Sequence, residues 1–564
     1  MPPLPRAAAV AAICSCCACA TAAGAEVPSR VVALSGEQAP GAADTFRTFA
    51  NPVISSDGRV AFQANLSGPV TNFVPHGVWA GSRGDLKALA LAGREAPDTG
   101  GARFRSPGWP ITLTRSGEVL FYGSLLEGGG VTFDNDYGIW AGQPGGVRLV
   151  SRRGSPAAGL PGGVNYNLFF ANPHPSGAMG FSASLSGPGV DGTNDTAVWL
   201  GRIGPTPSLQ LLARGGDAAP GMQAGSRFTG LGTPLVSESG RIVLPANVVT
   251  PASGTQPLQG FWAGTPDALR VVALSGDAAP GADGRRFSFM SVPRLNDAGH
   301  VAFMGFLSTE SPEEQLNNVG IWAGPAAVGG AVNAVAMEGR QAPGFANGVV
   351  FRGSAPGDDI TYDAFRNPTL GGGGHVAFAA TVFGDATDFD HNDGVWRSGP
   401  AGGAAGDPDS LALVAREGDR PPGTPEGTRF RGVLSGDDLI PAFESPLLND
   451  RGQIAFEALT TGPLGEFGRG IWASDPGGVL RLVAHTGEEF VVGPGDVRVV
   501  ELLKLNAGGS SDEGIQSALN DAGQLTFGAR FTDGSEGVFV AVVPEPATAL
   551  LAAAVGALVA LRRR

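Results

Sequence analysis

The sequence predicts an all-β protein, a single β-propeller of about eight four-stranded blades, because three short patterns recur in fixed order. The chain has 564 residues, of which 42% are hydrophobic and 16% are charged. That apolar content argues against disorder, which needs low hydrophobicity and high net charge. The 89 glycines and 44 prolines are therefore expected in turns between many short strands.

The first pattern is an apolar run followed by glycine and a turn that ends in Ala-Pro-Gly. Clear copies begin at Val31, Leu211, Val271 and Ala334, and weaker copies begin at Leu89, Leu149, Leu413 and Leu482. The anchor glycines recur at intervals of 57 to 79 residues and are Gly36, Gly93, Gly154, Gly216, Gly276, Gly339, Gly418 and Gly487. A repeat of this length has room for four short strands.

The second pattern is a glycine turn followed by Val-Ala-Phe or a close variant. Copies begin at Ile54, Leu295, Leu448 and Leu519. Apolar side chains alternate over residues 60–66, which is the period of a β-strand with one buried face. The preceding Asn-Asp-x-Gly suits a type I turn closed by a left-handed glycine.

The third pattern is Gly-Val-Trp-Ala-Gly, which occurs once in each repeat. Its aromatic residues are Trp79, Trp140, Trp199, Trp262, Trp322, Trp396 and Trp472, with Phe539 in the last copy. A Phe-containing stretch, such as the one that begins at Arg286, supplies a fourth strand. We expect the tryptophans to pack between blades, because a single unit cannot bury its own faces.

The turn, the Val-Ala-Phe strand and the Trp strand together resemble TolB-type propeller repeats over nearly all of residues 31–541. The resemblance implies a ring of blades. In this register the chain begins and ends within a blade, so two strands from each end are expected to complete one blade. Two smaller propellers or a long sandwich array are the alternatives, and a parallel β-helix is disfavoured because its coils are shorter than this period.

Residues 1–25 have the features of a secretory signal peptide. Arg6 supplies the positive start, residues 7–20 form an apolar run, and Ala23-Gly24-Ala25 is a small-x-small cleavage site. The four cysteines of the chain all lie in this segment, at Cys14, Cys16, Cys17 and Cys19. The mature protein is therefore expected to have no disulfides and no thiol chemistry.

Residues 542–564 form a distinct tail. Pro544, Glu545 and Pro546 precede an apolar run over residues 547–561, and three arginines end the chain. This order resembles the PEP-CTERM sorting signal of exosortase substrates. The resemblance implies secretion, transient membrane insertion as an inner-membrane-anchored precursor, cleavage near Pro544-Glu545-Pro546 by an exosortase-type protease, and release to the surface or matrix. The alternative is a plain C-terminal anchor, since so short an apolar run is ambiguous.

The predicted organisation is thus a signal peptide (1–25), an eight-repeat propeller (26–541) and a sorting tail (542–564). Four of the 38 basic residues lie in the two ends, whereas the chain has 52 acidic residues. The mature body therefore carries a net charge near −18. This charge disfavours nucleic acids and anionic membranes as partners, because both require clustered Lys and Arg.

An acidic loop before Trp396 is a candidate calcium site. Its oxygen ligands would be Asp388, Asp390, Asn392 and Asp393, at the spacing that hard cations accept. The loop departs from an EF-hand, because Gly394 comes one residue late and no Glu follows at the twelfth position. The alternative is a turn without metal, which Asn and Asp also favour. No other cofactor is expected.

Insertions in the last three repeats supply a second candidate site, a rim of acids for a ligand. The acids are Asp358, Asp359, Asp437, Asp438, Asp512 and Glu513. Because the insertions lie in successive repeats, we expect them to converge on one rim, where loops on a rigid scaffold often carry function. The alternative is a set of solvated surface acids.

No catalytic motif stands out. The six histidines are scattered, and the chain has no HExxH, no Gly-x-Ser-x-Gly elbow and no phosphate loop. The sequence therefore favours an exported cell-surface or extracellular-matrix protein whose propeller binds an exopolysaccharide or a surface protein without catalysis. The alternative is a polysaccharide hydrolase or lyase that uses the rim carboxylates as acid and base.

Overall fold

The structure is a computed structural model, and it describes most of the chain between residues 27 and 543. The described range omits 71–72, 205, 292, 310–316, 327–330, 354–363, 386, 388–390, 400–410, 436–437 and 507–516. The predicted signal peptide and the motif Pro544, Glu545 and Pro546 lie outside the described residues. Within the part that is described, no helix is long and apolar enough to cross a membrane.

Eight antiparallel sheets form the blades of one propeller, and we number them in chain order. The first strand, β1 (Ser29–Leu34), belongs to blade 8. Blade 1 contains β2 (Phe46–Ile54), β3 (Val60–Leu66), β4 (His76–Gly81) and β5 (Lys87–Leu91). Blade 2 contains β6 (Phe104–Leu113), β7 (Val119–Leu125), β8 (Tyr137–Gly142) and β9 (Arg148–Arg152), with a 3₁₀ turn at Phe133–Asn135. Blade 3 contains β10 (Asn165–Pro173), β11 (Ala178–Ser186), β12 (Thr196–Arg202) and β13 (Ser208–Arg214). Blade 4 contains β14 (Arg227–Leu231), β15 (Leu235–Val236), β16 (Ile242–Val249), β17 (Leu258–Gly264) and β18 (Arg270–Leu274).

The second half of the ring repeats this arrangement, with the innermost strand of blades 4 to 7 divided into two short pieces. Blade 5 contains β19 (Phe287–Met290), β20 (Arg294–Leu295), β21 (His300–Leu307), β22 (Val319–Pro325) and β23 (Asn333–Met337). Blade 6 contains β24 (Val350–Phe351), β25 (Thr369–Leu370), β26 (Val376–Phe383), β27 (Asp393–Arg397) and β28 (Ala412–Arg416). Blade 7 contains β29 (Arg429–Phe430), a separate hairpin of β30 (Val433–Ser435) and β31 (Asp438–Ile440), β32 (Leu447–Leu448), β33 (Ile454–Gly462), β34 (Gly465–Ser474) and β35 (Leu480–His485). Blade 8 contains β36 (Glu489–Gly493), β37 (Asp496–Lys504), β38 (Gln524–Phe531) and β39 (Glu536–Val542).

Blade 8 closes the ring with one strand from the N-terminal end. Its strand order is β1-β39-β38-β37-β36, and Ser29 pairs with Ala541. The expectation of two strands from each end was wrong, because the Phe46 stretch is β2, the innermost strand of blade 1. The turn after β1 carries the chain into the next blade, where Gly36 N–H donates to the carbonyl oxygen of Phe46 at 2.8 Å.

The predicted position of the tryptophans between blades is confirmed. Trp140 of blade 2, for example, lies in one apolar cluster with Val53 and Val78 of blade 1. The seven tryptophans are fully buried, and each packs edge-on against an aromatic ring of its own innermost strand, as Trp322 does against Phe287 at 4.9 Å. Aromatic burial between neighbouring sheets is a large source of stability in such a ring.

The Ala-Pro-Gly turn and the tryptophan are two halves of one contact. Trp322 Nε1 donates to the carbonyl oxygen of Pro280 at 2.9 Å. Equivalent bonds of 2.7 to 3.0 Å join Trp79 to Pro40, Trp140 to Pro97, Trp199 to Ala158, Trp262 to Pro220, Trp396 to Pro343 and Trp472 to Pro422. Each bond satisfies a buried indole N–H, which would otherwise be costly, and it fixes the loop that enters a blade onto the third strand of that blade.

The glycine two residues before each tryptophan makes room for the indole. Side chains at positions i and i+2 of a strand lie on one face, and a Cβ on Gly320 would lie 2.8 Å from the Trp322 ring. Blade 3 has Ala197 at this position, so the requirement is steric and allows a small side chain.

The antiparallel order gives the ring two different faces. The Ala-Pro-Gly loops and the loops before each tryptophan lie at one end of the strands, and we call this end the loop face. The turns that follow each innermost strand, such as residues 296–299, lie at the other end, which we call the turn face. Gly299 there has φ +81° and donates its N–H to Asn296 O at 3.0 Å, as the predicted turn requires.

Candidate functional site

The innermost strands of all eight blades end around a cavity at the turn-face mouth of the central channel. The cavity has a volume of about 310 Å³. Each blade contributes at least one apolar residue to its wall, and one from each blade is Ile54, Leu113, Pro173, Leu235, Leu295, Leu370, Leu448 and Leu519. A concave apolar site with a few convergent polar groups is the usual form of a ligand site.

Hydrogen bonds between blades hold the rim of this cavity. The Nδ2 group of Asn296 donates to Gly371 O of the next blade at 2.8 Å. The same side-chain group of Asn449 donates to Asn520 O at 2.9 Å, and that of Asn520 donates to Ser55 O at 2.8 Å, across the closure of the ring. These bonds join blade 5 to blade 6, blade 7 to blade 8 and blade 8 to blade 1, so the rim is preorganised at these junctions.

A charged cluster lies on one side of the mouth, with a residue from each of blades 2 to 5. Arg115 Nη1 lies 2.6 Å from Glu238 Oε2, and its Nη2 lies 3.5 Å from Asp297 Oδ2. His174 Nε2 lies 3.1 Å from Asp297 Oδ1, which also accepts the backbone N–H of Glu238 at 2.6 Å. Asp297 is thus the centre of a network that joins blades 2, 3, 4 and 5.

The network keeps Asp297 ionised. Partial burial by itself would raise the pKa of this carboxyl, but the hydrogen bonds from His174 and the Glu238 amide, with the charge of Arg115, outweigh it and lower the pKa to about 2. The pKa of Arg115 is raised, chiefly by its hydrogen bond to Glu238. The ring nitrogen His174 Nδ1 accepts Ser176 N–H at 3.1 Å, so the neutral imidazole carries its proton on Nε2 and donates it to Asp297.

The opposite side of the mouth is acidic. Asp450 N–H donates to Asp521 Oδ1 at 2.9 Å. The pKa of Asp450 is raised, first by partial burial and then by the negative charges of Asp521 and Asp297. The cavity therefore offers a ligand a side of mixed charge in blades 2 to 5, where Arg115 lies beside two carboxylates, and a purely acidic side in blades 7 and 8.

Sequence reasoning assigned these aspartates only to turns. Asp297, Asp450 and Asp521 share the second position of the Asn-Asp-x-Gly pattern. The signal that identifies them is their repetition, since the same position of every repeat lies at the same distance from the axis of a ring. Arg115 and Glu238 occupy this same second turn position in the second and fourth repeats, and His174 occupies the first position in the third repeat. These repeats lack the Asn-Asp pair, so no motif marks the three residues.

The predicted calcium site is only partly within the described residues. Asp388 and Asp390 lie outside them. Asp393 is 2% exposed, and its two oxygens lie 2.8 and 3.2 Å from the guanidinium nitrogens of Arg366. Asn392 is also buried, and among the described residues no group of three or more His, Cys, Asp or Glu side chains is placed to hold a metal. Calcium binding stays a prediction, and Asp393 already has a cationic partner.

The predicted acidic rim lies almost wholly outside the described residues. Of its members, Asp358, Asp359, Asp437, Asp512 and Glu513 are not described, and the backbone of Asp438 lies in β31. The flanking pairs show where one insertion begins and ends: Phe430 pairs with Thr460, and Phe443 pairs with Ala458, on the same neighbouring strand. The insertion therefore interrupts the innermost strand of blade 7, and convergence of the acids stays a prediction.

Four large apolar side chains of blades 2, 3 and 5 are exposed. Leu168, Phe170 and Phe289 are 45%, 55% and 52% exposed, and all three lie on innermost strands. Phe133, which is 72% exposed, lies under the Arg153 guanidinium at 4.7 Å.

Comparison with known proteins identifies the relatives of the chain. The model of a family described as "Family of unknown function (DUF7453)" matches residues 24–354 and 349–550. The chain belongs to the DUF7453 family. The PEP-CTERM protein-sorting motif matches residues 542–564 of this DUF7453 protein. It is therefore an exported β-propeller with the sorting signal of exosortase substrates, whereas the resemblance to TolB-type repeats stays a resemblance.

Solved structures similar to the DUF7453 protein are propellers with low identity. The Dos1 propeller is 8% identical over 92% of this chain and 96% of that chain, with a TM-score of 0.38. The propeller domain of the trilobed protease from Pyrococcus furiosus is 8% identical over 78% of this chain and 97% of that chain, with a TM-score of 0.35. The arabinofuranosidase Arb93A from Fusarium graminearum is 13% identical over 63% of this chain and 93% of that chain, with a TM-score of 0.27. No curated protein matches the chain in sequence.

Proposed function

We propose that the protein is secreted by its N-terminal signal peptide and is held in the inner membrane by residues 547–561. An exosortase-type protease then cuts near Pro544-Glu545-Pro546 and releases the propeller to the cell surface or extracellular matrix. The match of residues 542–564 to the sorting motif supports this route. The intact mass of secreted material is expected to begin near Glu26 and to lack residues 547–564, and a mass that retains them would contradict the route.

At its destination the propeller acts as a binding protein for a glycan or protein ligand, which contacts the turn-face cavity. The observation that carries this proposal is the cavity itself, an apolar wall from all eight blades beneath a fixed polar rim. A rim that is already hydrogen-bonded loses little conformational entropy when a ligand binds. The side of mixed charge and the purely acidic side give the ligand a defined orientation.

A role without catalysis is favoured by the state of Asp297 at the mouth of the cavity. A general acid or base works best when its pKa lies near the operating pH. Asp297 has a pKa of about 2 and is engaged by His174, Arg115 and the Glu238 amide. A carboxylate so firmly ionised and hydrogen-bonded positions a ligand better than it transfers protons.

The experiment that tests the proposal is a glycan array probed with residues 26–543, with the bound glycans analysed for cleavage. We expect retention of one glycan class with no change in glycan mass. Surface-protein extracts from the same cells serve as the second ligand pool. Cleavage of a bound polysaccharide would replace the binding function by an enzymatic one.

The enzymatic alternative has one supporting observation in blade 7. The pKa of Glu457 is raised, first by burial and further by the negative charge of Glu444, although Arg469 at 2.7 Å opposes the shift. A buried acid beside a second carboxylate is the arrangement that glycosidases use. If the array reveals cleavage, Glu457→Gln and Glu444→Gln should each abolish it.

A further inference from the structure

Both ends of the described chain leave the propeller at the turn face. The strand β1 begins at Ser29, which pairs with Ala541 near the end of β39. The third strand of each blade runs from the loop face to the turn face, so β39 delivers Val542 to the turn face. The sorting tail therefore starts on the same side of the ring as the cavity.

Hydrogen bonds to the propeller hold the chain as far as Val543, the residue before Pro544. Val542 N–H donates to Pro28 O at 2.9 Å, and Val543 N–H donates to Gly523 O at 3.1 Å. Val543 is 4% exposed, so the fixed structure continues to the residue before Pro544. Only Pro544, Glu545 and Pro546 separate this point from the apolar run at residues 547–561.

Three residues are a short tether. A fully extended chain spans at most about 3.6 Å per residue, so the tether reaches roughly 10 Å. Two of its three residues are prolines, which restrict the backbone further. A propeller on such a tether is unable to turn its far face toward the bilayer.

We propose that the turn face lies against the membrane surface while the tail is anchored, so that the lipid headgroups cover the cavity until the tail is cut. The proposal rests on the membrane anchoring put forward under the proposed function. Cleavage of the tail would then also make the turn-face cavity accessible to ligand. The loop face, which carries the Ala-Pro-Gly loops and the exposed Phe133, is the surface that the anchored precursor presents outward.

Single-cysteine labelling tests this orientation, since the four native cysteines all lie in the predicted signal peptide. Ala298→Cys places a thiol on an exposed site of the turn face, and Ala224→Cys places one on an exposed site of the loop face. The full chain, with the four leader cysteines changed to serine, is expressed in a host without the sorting protease. Its labelling by a polyethylene-glycol maleimide is compared with that of a chain that ends at Val543.

We expect the thiol of Ala298→Cys to react at least tenfold more slowly in the anchored chain than in the released chain, and that of Ala224→Cys to react equally in both. A twenty-residue Gly-Ser insertion between Val543 and Pro544 should restore fast labelling of Ala298→Cys in the anchored chain. Equal rates for Ala298→Cys in anchored and released chains would overturn the orientation, while leaving ligand binding on the array unaffected. A full chain that fractionates as soluble protein would overturn the anchoring itself.

Discussion

In blade 5 the indole N–H of Trp322 donates to the carbonyl oxygen of Pro280, whereas in blade 8 Phe539 occupies the same place and has no such donor. The loop before blade 8 also lacks the Ala-Pro-Gly turn and forms the hairpin of β36 and β37 instead. Phe490 of this hairpin packs edge-on against Phe539 at 4.9 Å, the distance at which Phe287 meets Trp322.

The difference shows that the loop carbonyl and the tryptophan form one unit, because the closing blade lacks both, whereas blade 3 keeps the bond with Ala158 in place of proline. In blades 1 to 7 the bond joins a loop to the blade that follows it in sequence. Blade 8 is completed instead by β1, whose partner strand lies at the other end of the described chain. Ring closure therefore depends on strand pairing and aromatic packing where the other blades use a local hydrogen bond.

The largest test of this comparison removes the strand that only blade 8 needs. A chain that starts at Gly36 lacks β1 and with it the buried side chains of Val31, Val32 and Leu34. At about 1.5–3 kcal/mol for each buried aliphatic side chain, the free energy of unfolding should fall by roughly 5 kcal/mol or more. Urea unfolding of residues 36–543 against 26–543 measures the loss, and a synthetic peptide of residues 26–35 should restore part of it. An unchanged midpoint would show that β1 does not close the ring.

The second test exchanges the two aromatic residues. Trp322→Ala should lower the free energy of unfolding by about 3–5 kcal/mol, as for other buried aromatic truncations. Trp322→Phe removes the bond to Pro280 and should cost less, while Phe539→Trp should also destabilise, because its indole N–H has no proline carbonyl to meet and the site is filled. Stabilisation by Phe539→Trp would contradict the pairing of tryptophan with the Ala-Pro-Gly turn.

A smaller effect is expected at the glycine before the tryptophan. Gly320→Ala places a methyl group against the Trp322 ring and should cost about 1–3 kcal/mol. Blade 3 supplies the internal control, since Ala197 already occupies this position and Ala197→Gly should change stability by less than about 1 kcal/mol. Thermal melts of both variants measure the two effects, and equal shifts in melting temperature would contradict the steric explanation.

The smallest effects concern the aspartates at the turn face and depend on pH. The pKa of Asp297 in the folded state, about 2, lies below its unfolded value near 3.9. Its ionised form therefore contributes about 2 kcal/mol above pH 4, and this contribution is lost as the pH falls toward 2. Asp297→Asn should lower the free energy of unfolding at pH 7. Urea titrations between pH 6 and pH 2.5 should show a smaller fall in this free energy for the variant than for wild type.

Asp450→Asn is the matched control in blade 7, at the same position of the repeat. The pKa of Asp450 is raised, so its ionised form opposes folding, and the amide should raise the melting temperature slightly at pH 7. Opposite signs for the two variants are the expected outcome. The same sign for both would show that the cluster around Asp297 has no special energetic role.

The architecture was predictable because its main contacts are local in sequence. The bond from Trp322 to Pro280 spans 42 residues, which is less than one repeat, so both residues recur in every copy as visible motifs. The strand period and the turn glycines are also local features, and they correctly predicted eight blades. The predicted number of strands that each end contributes to blade 8 was wrong, since nothing near Val31 reveals that its partner strand is β39.

The candidate site was not predictable in the same way. Arg115 and Glu238 are 123 residues apart, as are His174 and Asp297, and only the circular arrangement of blades 2 to 5 brings them together. Each residue alone reads as an ordinary turn residue. A search for the turn position that repeats next to the axis would have selected Arg115 together with Asp297, Asp450 and Asp521, but the sequence does not show that Arg115 contacts Glu238 and Asp297.

The central claim is that ligand binds at the turn-face cavity, and one affinity comparison tests it most directly. The dissociation constant of the ligand retained on the array is measured for wild type, for Arg115→Gln in the cavity, and for Arg94→Gln on the loop face. Loss of one charged hydrogen bond of about 1.5–3 kcal/mol predicts at least tenfold weaker binding for Arg115→Gln. Arg94→Gln should bind like wild type. Equal affinity for wild type and Arg115→Gln, or a loss only with Arg94→Gln, would place the ligand elsewhere and contradict the account.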